Sequence, residues 1–189
     1  VIKIAVCGST CAGKTTLCHL AVGLLKAKGI NAEYVGNLTR RMPFSAALLD
    51  DRMSAQYHVI FQHLAEESAA MLRSDMQVLV CDRSPYDYLL YAEVTALLVD
   101  RSMPALVFES TRSLVERWLE TYSLLYFLDA GNVRYIRDGK RPTSTNLRDK
   151  VNDLYKERMQ ALRMPFETLT GTAEKRAARI VTDVRRLLK

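Results

Sequence analysis

The sequence predicts an α/β fold, a parallel sheet covered by helices on both faces. Three observations carry this. Short apolar runs of strand length alternate with longer segments of helical periodicity along the whole chain. Those runs are apolar almost throughout, as strands buried on both faces are. Two of them end at Gly8 and Asp82, at the carboxyl edge where open α/β sheets hold their ligands.

Each element has its own signal. Ile2–Cys7 is an apolar run ending in glycine, as a central parallel strand does. Lys14–Lys28 reads as a helix with Leu17, Leu20, Ala21, Leu24 and Leu25 on one face, stopped by Gly29. Ala32–Val35 is a weaker second strand. Phe44–Ser74 reads as one long helix with Met53, Tyr57, Ile60, Phe61, Leu64, Ser68 and Met71 along a stripe. Gln77–Cys81 is a third strand that delivers Asp82. Tyr86–Val99 and Ser110–Tyr122 are helical, separated by a loop holding Pro104. Leu124–Leu128 is a fourth strand, Leu147–Arg163 a helix, Phe166–Leu169 a fifth strand and Ala173–Leu188 a closing helix.

A length of 189 residues, 49% of them apolar, suits one domain spanning 1–189, and no linker or repeat divides it. No apolar run approaches the roughly 18 residues a membrane helix needs. Val1–Val6 leads straight into a glycine-rich motif and reads as a buried strand, not a secretory segment, so the expectation is a cytoplasmic protein without a membrane partner. Cys7, Cys11, Cys18 and Cys81 form no CxxC pair, and His19, His58 and His63 have no ligand spacing. Reduced thiols and ordinary histidines are the expectation. The charge is uneven. Residues 1–130 hold 12 Lys/Arg against 14 Asp/Glu, a balance of −2, whereas residues 131–189 hold 15 against 7, a balance of +8. Such a balance fits either solvated basic helices or a surface facing a polyanion, with Arg148, Lys156 and Arg163 as candidate contacts.

The segment Gly8-Ser9-Thr10-Cys11-Ala12-Gly13-Lys14-Thr15-Thr16 matches the Walker A pattern at every fixed position, between an apolar strand and an amphipathic helix. Its glycines let the backbone wrap a phosphate, and its N–H groups point at the anion. Lys14 reaches the β- and γ-phosphates of ATP, and the Thr15 hydroxyl can ligate Mg²⁺. Val78-Leu79-Val80-Cys81-Asp82 is the Walker B arrangement. Asp82 can hold Mg²⁺ or accept the proton of an attacking hydroxyl; Asp50 and Asp51 are the other candidate bases. Ser84, followed by Pro85, is the better cap for the next helix. Arg83 suits phosphate of donor or acceptor. Arg134, Arg137, Lys140 and Arg141 form a basic loop, read as a lid over about 132–146 that stabilises the transferred phosphoryl. Lys14, Asp82, Arg83 and Arg137 are thus the expected catalytic set, and Gly8–Thr16 with Arg134 and Arg137 the ATP-binding set. Arg40 and Arg41 after the second strand, Tyr57 and Arg83 are candidate acceptor contacts.

The Walker A loop, Asp82-Arg83 followed by Asp87 and Tyr91, and Asp138-Gly139-Lys140-Arg141 together resemble the AAA-type ATPase/kinase family that includes nicotinamide riboside kinase domains and phage 5-hydroxymethyluracil DNA kinases. Asp82-Arg83-Ser84 also resembles the Glu-Arg-Ser motif of deoxynucleoside kinases, and thymidylate kinases share an Asp-Arg there. The resemblance implies a five-stranded parallel sheet in the order 2-3-1-4-5. It departs at Val35-Gly36-Asn37, where deoxynucleoside kinases carry a glutamate base.

The function expected is therefore γ-phosphoryl transfer from ATP, with Mg²⁺, to a hydroxyl of a nucleoside-type acceptor. The basic C-terminal third leans the reading toward a hydroxymethylated base in DNA. A free deoxynucleoside, nucleoside monophosphate or nicotinamide riboside is the alternative. A regulatory ATPase stands behind both. A GTPase would need an Asn/Thr-Lys-x-Asp motif, and Asp149-Lys150 lacks that order.

Overall fold

The computed structural model describes residues 1–36, 38–44, 48–49, 52–98, 104–131, 145–159, 162 and 166–189. Five parallel strands form one sheet: β1 (Ile2–Cys7), β2 (Ala32–Val35), β3 (Val78–Asp82), β4 (Leu124–Phe127) and β5 (Phe166–Thr168). Their order is β2-β3-β1-β4-β5, as expected. The helices are α1 (Lys14–Lys26), α2 (Leu38–Arg41), α3 (Met53–Met71), α4 (Pro85–Leu98), α5 (Ala105–Leu119), α6 (Thr145–Arg158) and α7 (Ala173–Leu187).

Successive strand residues point to opposite faces, and this divides the core in two. Ala5, Cys7, Leu79, Cys81, Leu125 and Phe127 join the layer of α3, α4, α5 and α6. Ile4, Val6, Val78, Val80, Tyr126 and Leu128 join α1 and α7. Leu17 and Leu25 of α1 are at most 1% exposed, and burial of each contributes about 1.5–3 kcal/mol. Gly29 ends α1 as expected: at φ 74° it lets Ile30 N–H reach the Leu25 carbonyl at 3.1 Å, a Schellman closure. In register, Val6 faces Asp82 and Cys7 faces Phe127, so the central strands finish level. The two sequence motifs thus arrive at one edge.

Three helices differ from expectation. Arg52 is extended, so α3 begins at Met53 and not at Phe44; the short α2 lies earlier in the chain, where no helix was expected. The α3 stripe also rotates: Phe61, Ser68 and Met71 are exposed, and Gln56, His63 and Glu67 are buried in their place. α5 starts at Ala105, directly after an extended Pro104, with Leu106 and Val107 facing outward. That exposed first turn has no amphipathic signal, which is why periodicity placed the start later. α6 ends at Arg158. Among the described residues, no helix is long and apolar enough to cross a membrane.

The rotated stripe exposes a polar cluster that the sequence reading passed over. Lys3, 1% exposed in the middle of an apolar strand, donates to Glu67 Oε2 at 2.9 Å. Trp118 Nε1 donates to the same oxygen at 2.7 Å, the Tyr122 hydroxyl donates to Oε1, and His63 Nε2 lies 2.9 Å from Oε1. The Lys3 ammonium also sits 4.0 Å from the Tyr122 ring centroid and 4.7 Å from that of Trp118. Burial pushes the Glu67 carboxyl up, but His63, Lys3 and Tyr122 outweigh it and hold it at about 2.

Glu67→Gln would leave Lys3 buried without a counter-charge. It is expected to cost about 3–5 kcal/mol, the range for breaking one side of a buried pair, read from urea unfolding at neutral pH. In the wild type, Glu67 titrates lower in the folded chain than its ordinary 4.5, so the unfolded chain takes up the proton first. Its contribution is present above about pH 4.5 and is lost as pH falls toward about 2. The stability curve of Glu67→Gln should lack that part of the fall; an identical acid limb in both proteins would contradict the assignment.

Candidate functional site

The loop after β1 is shaped by backbone that only particular residues adopt. Gly8 has φ 133°, and a Cβ there would lie 2.4 Å from the Leu128 carbonyl oxygen. Gly13, at φ 88°, caps α1 in the left-handed region with no side-chain hydrogen bond. The first N–H groups of α1 are therefore left for an anion. Cys11 also has positive φ, 68°. Glycine at position 8 is thus required by space and conformation together, and at 13 by conformation alone.

Neighbouring side chains hold this cradle from beneath. Asp87, fully buried, accepts from Gly8 N–H at 2.9 Å through one oxygen and from Ser84 N–H at 2.8 Å through the other. The second bond is half of a capping box for α4, with Ser84 at the cap and Pro85 first in the helix, as the sequence suggested. One turn on, the Tyr91 hydroxyl accepts from Thr10 N–H at 2.9 Å. Arg83, at φ 85°, donates to the Gly8 carbonyl and to Thr10 Oγ1, each at 3.3 Å. Lys14 is 5% exposed and donates to the Ser9 carbonyl at 2.7 Å. Burial first, and Arg83 second, pull its ammonium down to about 8, so a bound polyanion would relieve an uncomfortable charge.

Asp82, 5% exposed, ends β3 beside the cradle. Thr15 Oγ1 donates to its Oδ2 at 2.5 Å and the Tyr34 hydroxyl donates to the same oxygen at 3.1 Å. A hydroxyl and a carboxylate side by side are hard oxygen donors, the set that fits Mg²⁺. Burial and then Asp82 push the Tyr34 phenol far above its ordinary value, so it stays a donor.

Cradle and carboxylate open into one cleft. Thr10, Cys11, Gly13, Lys14, Thr15 and Thr16 line one side, and Asp82 and Arg83 lie at its base. Leu38, Thr39, Arg40, Leu49, Gln56, Tyr88 and Tyr91 also line it. Gly8, Ser9 and Ala12 do not line the cleft; Ser9 and Ala12 are buried beside it.

Two acceptor expectations need correction. Arg41 does not line the cleft: it donates to Glu66 at 2.7 Å and to the Gly36 carbonyl at 3.2 Å. Tyr57 is turned away by helical phase, packing with Met53 and Ala92 toward α4 and α5. Gln56, one residue earlier, faces the cleft in its place. Arg40 does line it. Arg134, Arg137, Asp50, Asp51 and Arg163 lie outside the described residues. Of the lid expected over 132–146, only 145 and 146 are described, as the first turn of α6. The sequence reading missed Gln56 and Tyr88 at the cleft and Tyr34 against Asp82, because nothing in their local sequence separates such side chains from core ones.

Gly8→Ala is expected to weaken binding of a non-hydrolysable ATP analogue by roughly tenfold or more, since displacement of the cradle by an ångström is costly. Calorimetry would measure the affinity and circular dichroism the intact fold. Wild-type affinity in the variant would separate the cradle from phosphate binding.

The comparisons agree with this geometry. Solved structures of deoxyadenosine kinase from M. mycoides superpose over nearly the whole of both chains. The form with bound dATP has a TM-score of 0.62 at 15% identity, covering 100% of this chain and 99% of that one. The form with the products dCMP and dCDP reaches 0.66 at 14%, covering 98% and 100%. The form with dCTP gives 0.60 at 15%, covering 99% and 98%. At such identities the likeness is one of fold. None of the curated proteins compared with the chain matches it. The AAA domain family model matches residues 3–176, from the first strand to the opening of the closing helix. Because that match takes in the cradle, the strand-end carboxylate and every strand of the sheet, the chain belongs to the AAA domain family, in the fold of P-loop kinases.

Proposed function

We propose that the chain is an ATP-dependent kinase that transfers the γ-phosphoryl to a hydroxyl of a nucleoside-type acceptor. One observation carries the reading. The phosphate cradle, Asp82 and Arg83 share a single cleft with amide, aromatic and apolar side chains, among them Gln56, Tyr88, Leu38 and Leu49. A regulatory ATPase has no use for those further side chains.

In this reading Lys14 and the N–H groups at the start of α1 hold the phosphates. Thr15 and Asp82 would hold Mg²⁺, which supplies positive charge to the phosphates when bound. Arg83, tied to the cradle through Gly8 and Thr10, faces the acceptor side and steadies the transferred group. Arg134 and Arg137 of the proposed lid complete the charge and exclude water. Asp82 is the proposed proton acceptor, with Asp50 and Asp51 as the alternatives that mutation separates. All four cysteines are free, which agrees with a reducing cytoplasm.

For the acceptor, the similar structures hold dATP, dCTP, or dCMP with dCDP, which supports a deoxynucleoside-type molecule. Gln56 can pair with a base edge and the tyrosines can pack its faces. The +8 balance of residues 131–189 favours the second reading, a hydroxymethylated base carried on DNA. Much of that charge, however, is spent inside the fold. Arg148 is buried and donates to the Ala130 carbonyl, Lys156 pairs with Asp129 at 3.0 Å, and Arg158 pairs with the buried Glu93. Free nucleosides therefore come first.

γ-Labelled ATP with a panel of deoxynucleosides, nucleotides and plain or hydroxymethylated DNA tests both readings. Label is expected on a free nucleoside. Label on DNA alone would reverse the order, and hydrolysis indifferent to every acceptor would leave a regulatory ATPase. Lys14→Ala should abolish transfer with the fold intact by circular dichroism. Asp82→Asn should lower turnover by about two orders of magnitude or more, the scale of a lost acid–base group. Activity that survives Asp82→Asn but not Asp50→Asn or Asp51→Asn would move the base.

A further inference from the structure

Asp82 closes a ring with three other residues, Thr15, His19 and Tyr34, that the sequence motifs do not contain as a unit. Thr15 and His19 are four apart on α1, so they stand one above the other on the same helix face. Thr15 donates to Asp82 Oδ2 at 2.5 Å. His19 stacks on the Tyr34 ring with centroids 4.4 Å apart. The Tyr34 hydroxyl closes the ring by donating to Asp82 Oδ2 at 3.1 Å.

The sheet register explains the reach. Tyr34 on β2 lies opposite Val80 on β3, two residues before Asp82 and therefore on the same face. A diagonal neighbour at that spacing is about 7–8 Å away between backbones, a gap a tyrosine spans and a shorter side chain does not. The next turn of chain keeps the space clear. A Cβ on Gly36 would lie 2.4 Å from the Tyr34 hydroxyl oxygen and 2.7 Å from Asp82 Cβ. Any other residue at 36 would break the bond. Both donors fall on Oδ2, so Oδ1 has no partner among the described residues.

We propose that Tyr34, backed by His19, is a positioning residue that pins the Asp82 carboxylate against Thr15 and thereby sets the metal-binding oxygen pair. The inference rests on the kinase reading above, in which Thr15 and Asp82 serve the metal. It assigns a function to the end of β2, where deoxynucleoside kinases carry a glutamate and this chain has glycine. Tyr34 acts through Asp82 and does not itself line the cleft.

The test compares wild type, Tyr34→Phe and His19→Ala. Tyr34→Phe keeps the ring and its stack but removes the donor. Mn²⁺ binding to the complex with a non-hydrolysable ATP analogue is followed by electron paramagnetic resonance. Turnover is measured against Mg²⁺ and ATP, and thermal melting is recorded. Tyr34→Phe is expected to weaken Mn²⁺ binding by about tenfold, the scale of one hydrogen bond to a charged group, and to lower kcat similarly. KM for the acceptor, nucleotide binding in EDTA and the melting temperature should stay unchanged. His19→Ala, which keeps the hydroxyl, should show the same pattern at smaller size. Wild-type Mn²⁺ affinity in Tyr34→Phe overturns the proposal. So does an equal loss of nucleotide binding in EDTA, which marks general damage to the cleft, and a lowered melting temperature that accounts for the lost activity. Lys14→Ala is run alongside. Full transfer in Lys14→Ala sinks the kinase reading itself, whereas an inactive Lys14→Ala beside a normal Tyr34→Phe sinks only the role of Tyr34.

Discussion

Asp87 is fully buried and still carries hydrogen bonds on both oxygens, from Gly8 N–H and from Ser84 N–H. A buried carboxylate without such partners is costly by several kcal/mol, so the two backbone segments it joins cannot drift apart cheaply. One of them opens the phosphate cradle and the other opens α4. The arrangement makes α4 serve twice. Its first turn fixes the cradle, Tyr91 one turn later fixes Thr10, and the same face offers Tyr88 and Tyr91 to the cleft. Arg83, between the end of β3 and the cap of α4, is held at φ 85° by this junction. Backbone of that kind persists only where the surroundings impose it.

How much of this the sequence carried depended on what kind of signal each feature leaves. The strands were legible because burial on both faces makes them apolar throughout. The cradle and Asp82 followed from motif and context together, and the order of the sheet from the family resemblance. Ser84 and Pro85 declared the start of α4 through local capping chemistry. The failures share a cause. Gln56 and Tyr57 are adjacent on one helix, and a phase difference of about 100° decides which one meets the cleft. Tyr57 lay on the apolar stripe and was also named as an acceptor contact; it packs with Met53 and Ala92, and Gln56 lines the cleft. The start of α5 was hidden because Ala105, Leu106 and Val107 face outward.

Charge gave a further lesson. The balance of +8 is a property of composition, but an arginine counted in the sequence can be committed long before any partner arrives. Arg148, Arg158 and Arg179 each meet a carbonyl or a carboxylate of their own chain. Arg158 and Arg112 both converge on Glu93 of α4, clamping α5 and α6 to it. These pairs hold helices together around the cleft, and the field they would have offered a polyanion is correspondingly weaker.

The cluster around Glu67 bears on how the chain can be assembled during synthesis. Lys3 is laid down in the first strand, yet Glu67 follows 64 residues later. The aromatic rings that flank the ammonium, Trp118 and Tyr122, come later still, at the end of α5. Until those segments have emerged, β1 carries a charge that has no acceptable place in a dry core. A nascent chain that buried β1 early would have to keep Lys3 hydrated or reopen. The charge of the central strand thus gains its full set of partners only once the chain has been made as far as Tyr122.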